Sequence, residues 1–242
     1  MPNIYVLVHG AWHTGETFEP VADHLRARGH TVHCPTLAGN RPGEDCSAFA
    51  LHQATDALVE FLDRRDLNDV RLVGHSYGGM LISKAADVVA RRIGRLVYAN
   101  AFVPLDGECL ADMAPTNYRG LFDSLAAANA GAVQLPYPIW RESFINDADA
   151  ALALACYERL HPQPHASFVD AVRLSTPTAA LQIGKSYINC RQDTAMPHSL
   201  PWHPRLSQRL GLFRYVECDG SHELLFTNPA RLAAAIEEAG RD

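Results

Sequence analysis

Apolar, β-branched runs of four or five residues recur along this chain, each trailed by a stretch with helical periodicity, and that alternation limits the fold more than any other feature. The strand-like runs are residues 5–8, 31–34, 70–73, 95–99, 186–190 and 213–217. In several of them apolar side chains occupy both parities, as in parallel strands covered on two faces. Helical patterns lie at 16–28, 47–65, 77–90 and 229–239. The alternation predicts an α/β fold: a mostly parallel, twisted sheet with helices on both faces and right-handed crossovers. A length of 242 residues, 48% hydrophobic and 20% charged, suits one such domain over 1–242, with a core that needs no staples.

The rhythm breaks once. Between residues 101 and 186 no strand-like run occurs, and the insert at about 104–184 is rich in Ala and aromatics, among them Tyr118, Phe122, Trp140, Phe144 and Phe168. A structureless loop of that length is uncommon inside a compact domain. Helical patterns at 119–130, 147–160 and 165–174 predict a cap over the sheet. Two readings of its aromatics stand side by side: a small core of the cap's own, or a lid lining an apolar pocket, with Trp12, Phe122 and Trp140 as candidate lining residues.

The sharpest local signal is Val70-Arg71-Leu72-Val73-Gly74-His75-Ser76-Tyr77-Gly78-Gly79-Met80. Gly-x-Ser-x-Gly by itself is weak, but here an apolar strand enters it and a helical pattern leaves it. A serine on a sharp strand-to-helix turn takes strained dihedrals, so its neighbours must lack bulk where backbones crowd. The turn lifts the Ser76 hydroxyl off the sheet and sets it at a helix N-terminus, where free N–H groups favour developing negative charge. A phosphate loop fits worse, since no Lys followed by Ser or Thr closes the motif.

A serine hydroxyl is a poor nucleophile until a base removes its proton. Of twelve histidines, His222 stands out by position, in the loop Asp219-Gly220-Ser221 after the last strand. Parallel strands present their C-terminal ends on one edge, which brings that loop beside Ser76. Asp193, after the preceding strand, is the carboxylate to fix the imidazole tautomer and stabilise its cation. Asp106 is the runner-up acid, and Asp219 reads as a turn residue. The oxyanion hole needs two backbone donors: Tyr77 N–H, directly after the nucleophile, and one from His9-Gly10-Ala11-Trp12, most simply Ala11. His9 reads as structural, hydrogen-bonded within its loop. Trp12 and His13 are candidates to touch substrate or to pack.

Several classes fall away. A net charge of −6 offers no basic face for nucleic acid or anionic lipid. No apolar run approaches the ~18 residues that span a bilayer, and Met1-Pro2-Asn3 leads directly into a strand, so cytoplasmic residence is the expectation. The six cysteines are spread singly and read as reduced thiols. His30-Thr31-Val32-His33-Cys34 would split its donors across two faces of a strand, His161-Pro162-Gln163-Pro164-His165 reads as a rigid turn, and no zinc spacing is present. No metal and no cofactor is expected. The oligomeric state is open, and a homodimer is compatible with the sequence.

Val6-Leu7-Val8-His9-Gly10-Ala11-Trp12, Gly74-His75-Ser76-Tyr77-Gly78-Gly79-Met80, Asp193 and Ser221-His222 together resemble the small α/β-hydrolases that include plant methylesterases, hydroxynitrile lyases and bacterial serine esterases acting on pyrethroid and carbamate-type compounds. Leu160-His161-Pro162-Gln163-Pro164 is similar to bacterial members. The resemblance implies the α/β-hydrolase fold, a triad of Ser76, Asp193 and His222, and oxyanion donors at Ala11 and Tyr77. It implies a cofactor-free serine hydrolase that cleaves a small, mainly apolar carboxylic ester or carbamate through an acyl-enzyme on Ser76. The alternatives are a lyase or a non-catalytic small-molecule binding protein on the same fold. The lyases of this group typically carry Thr at the position of Ala11 and Lys after the catalytic His. Here Ala11 and Glu223 stand there, and a negative charge would oppose departing cyanide. Glu223 is read as facing solvent.

Overall fold

The structure, a computed structural model, describes residues 2–242. Six parallel strands form the main sheet: β1 (Ile4–Val8), β2 (Thr31–His33), β3 (Val70–His75), β4 (Ile93–Ala99), β7 (Gly184–Cys190) and β8 (Arg214–Cys218), in the order β2-β1-β3-β4-β7-β8. Two short antiparallel strands, β5 (Ala132–Val133) and β6 (Gln163–Pro164), pair within the insert.

Side chains alternate across the sheet, as a period of two requires. Val6, Val8, Leu72, Leu96, Tyr98 and Tyr187 enter one core, with α2 (Leu51–Arg64), α3 (Gly78–Val89) and the insert. Tyr5, Leu7, Val73, Val97, Ile188 and Val216 enter the other, against α1 (Glu19–Arg26) and the C-terminal helix Pro229–Ala239. Both faces are therefore covered, which is why the strands read as nearly continuous apolar runs. Local chemistry sets the helix ends. Gly29, at φ +90°, stops α1 in the left-handed conformation that glycine adopts without strain. The C-terminal helix opens on Pro229, and the Asn228 side chain accepts the Arg231 N–H at 3.1 Å.

The chain leaves β1 outward to β2, then crosses back to β3 on β1's other side. Loops after β1 and β3 thus diverge at a topological switch point, where open α/β sheets hold their ligands beyond the strands' carboxyl ends. The insert between β4 and β7 folds over this edge. Its helix Ala150–Tyr157 lies within the stretch the periodicity marks out, and Thr116–Ala128 overlaps the pattern at 119–130 but starts three residues earlier. The pattern at 165–174, however, yields only the single turn Ala166–Val169. Beyond it the backbone bonds elsewhere: Val172 N–H donates to Glu108 O at 2.9 Å and Gly107 N–H to Val172 O at 2.8 Å. Pairing with a distant segment replaces the helical bonds that the local pattern favours.

No helix among the described residues is long and apolar enough to cross a membrane.

Candidate active site

Ser76 occupies the turn between β3 and α3 at φ +53°, a left-handed conformation rare for a residue with a side chain. The flanking glycines make this turn possible. A Cβ on Gly78 would lie 2.7 Å from Val8 O, and one on Gly79 would lie 2.1 Å from Phe102 O. Only hydrogen atoms fit where β1, the turn and the chain after β4 converge.

His222 is buried in the loop after β8, and its Nδ1–H donates to Asp193 Oδ2 at 2.6 Å. Asp193 is held in turn: its Oδ1 accepts Ala195 N–H at 2.8 Å and its Oδ2 accepts the Asn100 amide. Asn100 sits just past β4 at φ +40°, and its Oδ1 takes the Cys190 N–H at 2.7 Å. Burial alone would lower the His222 pKa. The Asp193 carboxylate, through charge and hydrogen bond, and Glu223 beyond it outweigh that and hold it above the ordinary value. Ser76 and His222 face each other as walls of one cavity, with no hydrogen bond yet between them. Such contacts often tighten only when substrate arrives.

Ala11 and Tyr77 line the same cavity, and neither N–H is engaged by a backbone carbonyl among the described residues. The rest of the wall is apolar, with Trp12, Phe102, Phe122, Phe144, Phe168 and Trp202 prominent. Its free volume is about 30 Å³. Phe122, Phe144 and Phe168 surround Trp12 at ring separations of 5.8, 5.7 and 5.5 Å. Trp140 does not line the cavity as its aromatic character suggested. It is wholly buried behind Phe144, and its Nε1–H donates to Ala153 O at 2.9 Å. An indole N–H needs a partner when buried, and the cap's own backbone supplies it.

The loop after β1 is clamped from the cap. Trp12, at φ +64°, donates its N–H to Gln163 Oε1 at 2.8 Å and its indole N–H to Val133 O at 2.9 Å. Gln163 is fully buried, also accepts from Asn40 Nδ2 at 2.7 Å, and donates to Ser167 Oγ at 2.6 Å. The His161–His165 segment is thus more than a rigid turn, since it presents the amide that fixes the residue after Ala11. Gln163→Ala strands two buried donors, and a stability loss of about 2–6 kcal/mol in urea unfolding follows at about 1–3 kcal/mol for each. His9 is buried; its Nδ1–H donates to Gly10 O at 2.9 Å and its Nε2 accepts the Leu37 N–H at 3.2 Å. Burial pushes its pKa down to about 4, so it is neutral.

Glu223 does not face solvent. It is 2% exposed, and His13 Nε2–H donates to its Oε2 at 2.9 Å. His75 joins these two in a group whose donor atoms lie within 4.8 Å of one another. Its Nε2–H donates to the His222 carbonyl at 3.0 Å, and burial, with the His222 imidazole beside it, pushes its pKa down to about 3. His13 therefore packs beneath the site and pairs with Glu223. The three are too far apart in sequence for any spacing motif to flag them.

Asp106 takes no part; its Oδ1 accepts Leu174 N–H at 2.8 Å. Asp219 is exposed and pairs with Arg191 and Arg231. Sequence reasoning missed Asn100, Gln163 and Trp202, whose ring stacks on His222 at 5.3 Å. Of these only Asn100 carried a signal, an Asn directly after a strand where a left-handed residue is needed.

Comparison with known proteins agrees with this architecture. A family model described as the alpha/beta hydrolase family matches residues 5–235. A carbendazim-hydrolysing esterase of Nocardioides sp. (strain SG-4G) is 41% identical over 171 residues, 64% of this chain and 71% of that protein. Methylesterase 4 of Arabidopsis thaliana is 33% identical over 97% of this chain and 95% of that protein. A solved extracellular alpha/beta-hydrolase from a Paenibacillus species, described as sharing structural and functional homology with tobacco salicylic acid binding protein 2, superposes with a TM-score of 0.95 at 36% identity over the full length of both chains.

Proposed function

Because the chain belongs to the α/β-hydrolase family, with esterases among its relatives, we propose that it is a cofactor-free carboxylic ester hydrolase working through an acyl-enzyme on Ser76. The observation that carries this reading is the His222–Asp193 pair at 2.6 Å, opening into the cavity that Ser76 shares. His222 Nε2 removes the Ser76 proton as Oγ attacks the substrate carbonyl. The N–H groups of Ala11 and Tyr77 receive the tetrahedral oxyanion, worth about 2.7–4 kcal/mol per donor in comparable sites. His222 then protonates the departing alcohol, and a water, activated by the same imidazole, releases the acid. Asp193 keeps Nδ1 protonated throughout, leaving Nε2 free as the base.

The apolar wall favours a small, uncharged acyl or aryl group, and the carbendazim-hydrolysing relative supports including carbamates. Glu223 argues against cyanohydrin cleavage, since its buried negative charge lies beside the base. The test is a panel of methyl, aryl and pyrethroid esters and methyl carbamates, run beside labelling with a fluorophosphonate probe. Turnover with Ser76 labelled supports the reading; tight binding without turnover or label overturns it.

The charge state of His222 adds a pH dependence. The base must be neutral, and protonation below its pKa removes it. With that pKa held above 6.5, the acid limb of kcat/KM has its midpoint above 6.5, and Asp193→Asn lowers that midpoint. An acid limb that is absent, or whose midpoint does not move in Asp193→Asn, contradicts the assignment of His222 as base.

A further inference from the structure

Cys190 and Cys218 are the last residues of β7 and β8 and are partners in the parallel register, with both thiols free and their Sγ atoms 3.4 Å apart. Neighbouring strands run about 4.8 Å apart, inside the Cα separation that a disulfide accepts. Closing the bond draws the sulfurs in to about 2.05 Å, a movement that side-chain rotation can largely supply. Cys190 is buried at 5% exposure, whereas Cys218 is half-buried and reachable. The position is also telling. Asp193 follows Cys190 by three residues, and His222 follows Cys218 by four. The two loops are already laced by Arg191 N–H to Cys218 O at 2.9 Å and Gln192 N–H to Gly220 O at 3.0 Å.

We propose that Cys190 and Cys218 are a redox modification site, oxidised by a small disulfide such as oxidised glutathione to an intrachain bond that clamps the acid loop to the base loop. The Cys218 thiolate attacks one sulfur of oxidised glutathione and expels a glutathione thiolate. That thiolate takes the Cys190 proton, and the Cys190 sulfur attacks Cys218 in the mixed disulfide, releasing the second glutathione. Two protein thiols are oxidised, and one glutathione disulfide is reduced to two thiols. The assignment of roles follows the surroundings. The Cys190 thiol, and beside it the guanidinium groups of Arg231 and Arg191, hold Cys218 below its ordinary pKa. Cys190 is pushed up, first by Cys218 itself, an effect that ends once Cys218 is capped. A thiolate at the exposed position attacks and the buried one resolves.

The experiment treats the full chain with millimolar oxidised glutathione at mildly alkaline pH and digests it with trypsin without reduction. The expected product joins peptides 186–191 and 215–231, disappears on reduction with dithiothreitol, and is absent from Cys218→Ser and Cys190→Ala. Closing a loop of this length raises Tm by about 3–7 °C in a chain this size. Glutathione stranded on Cys218, persistence of both thiols, or pairing with another cysteine overturns the site. A bond that forms without raising Tm overturns the clamp. The readouts are independent of which bond the enzyme cuts.

Discussion

Ser76→Ala lowers kcat for ester hydrolysis by about 10⁴–10⁶-fold while the protein stays folded. On the proposed acyl-enzyme route, the magnitude follows from removing the nucleophile of a group that acts as a unit; what survives is the contribution of the proposed oxyanion donors and of binding. Only one hydroxyl is lost, at a site 8% exposed, so the unfolding midpoint stays close to that of the parent. Ser76→Gly separates the two roles of this position. The φ of +53° strains any residue with a Cβ, and glycine relieves it, so this variant is equally inactive yet more stable by up to about 1 kcal/mol. Comparing kcat and urea midpoints of both variants checks the argument. A Ser76→Ala protein that retains a tenth of its parent's turnover would sink the acyl-enzyme route.

Glu223→Leu destabilises the protein by about 1.5–3 kcal/mol, since it removes a buried hydrogen bond to a carboxylate and strands the His13 N–H. The side chains of Glu223 and His13 are 3% and 2% exposed, so solvent screens neither. Burial alone would raise the Glu223 pKa, but the His13 imidazole, assisted by His75 and His222, holds it down to about 2. A carboxylate with a depressed folded-state pKa contributes stability that is present above its unfolded value, near 4.5, and lost as pH falls through the folded one. The shift from 4.5 to about 2 corresponds to about 3 kcal/mol. Glu223→Gln therefore flattens the stability profile between pH 5 and pH 2, and His13→Leu together with Glu223→Leu costs less than the sum of the single changes. Urea unfolding across pH measures both. An unchanged profile in Glu223→Gln would show that the pair carries no such linkage.

The proportion of this molecule legible in its sequence varies with how local the determining interaction is. Strand–helix alternation marks the sheet, because buried parallel strands imprint their period directly. The loops bearing Ser76, Asp193 and His222 can be placed from sequence because each directly follows a strand, and the sheet brings those ends to one edge. Glu223 shows the limit. It stands beside His222 in sequence, but its burial depends on His13, which arrives from the loop after β1. Trp140 fails for a similar reason: aromatic character announces burial but not the direction in which a ring faces. Gln163 looks like part of a proline turn, and only the fold reveals the Trp12 N–H waiting for it. Residues 170–174 keep a helical pattern, yet their backbone is claimed by residues 107–108.

The segment Phe144–Asp147 ties the cap to the machinery beneath it. Phe144 O accepts Glu223 N–H at 3.2 Å, the Asp147 carboxylate accepts Ser221 N–H at 3.0 Å, and Asn146 donates to Gln192 O at 3.1 Å. A chamber of about 30 Å³ has room for solvent but not for an ester, so a guest must make its own space. If the anchored side yielded, the loops bearing His222 and Asp193 would be carried off with it. Leu110, Ala114, Tyr118 and Phe122 also line the chamber, and the helix Thr116–Ala128 buries only Phe122 and Ala126. Displacing those side chains to admit a guest would leave the Phe144–Asp147 hydrogen bonds to the loops bearing Asp193 and His222 in place.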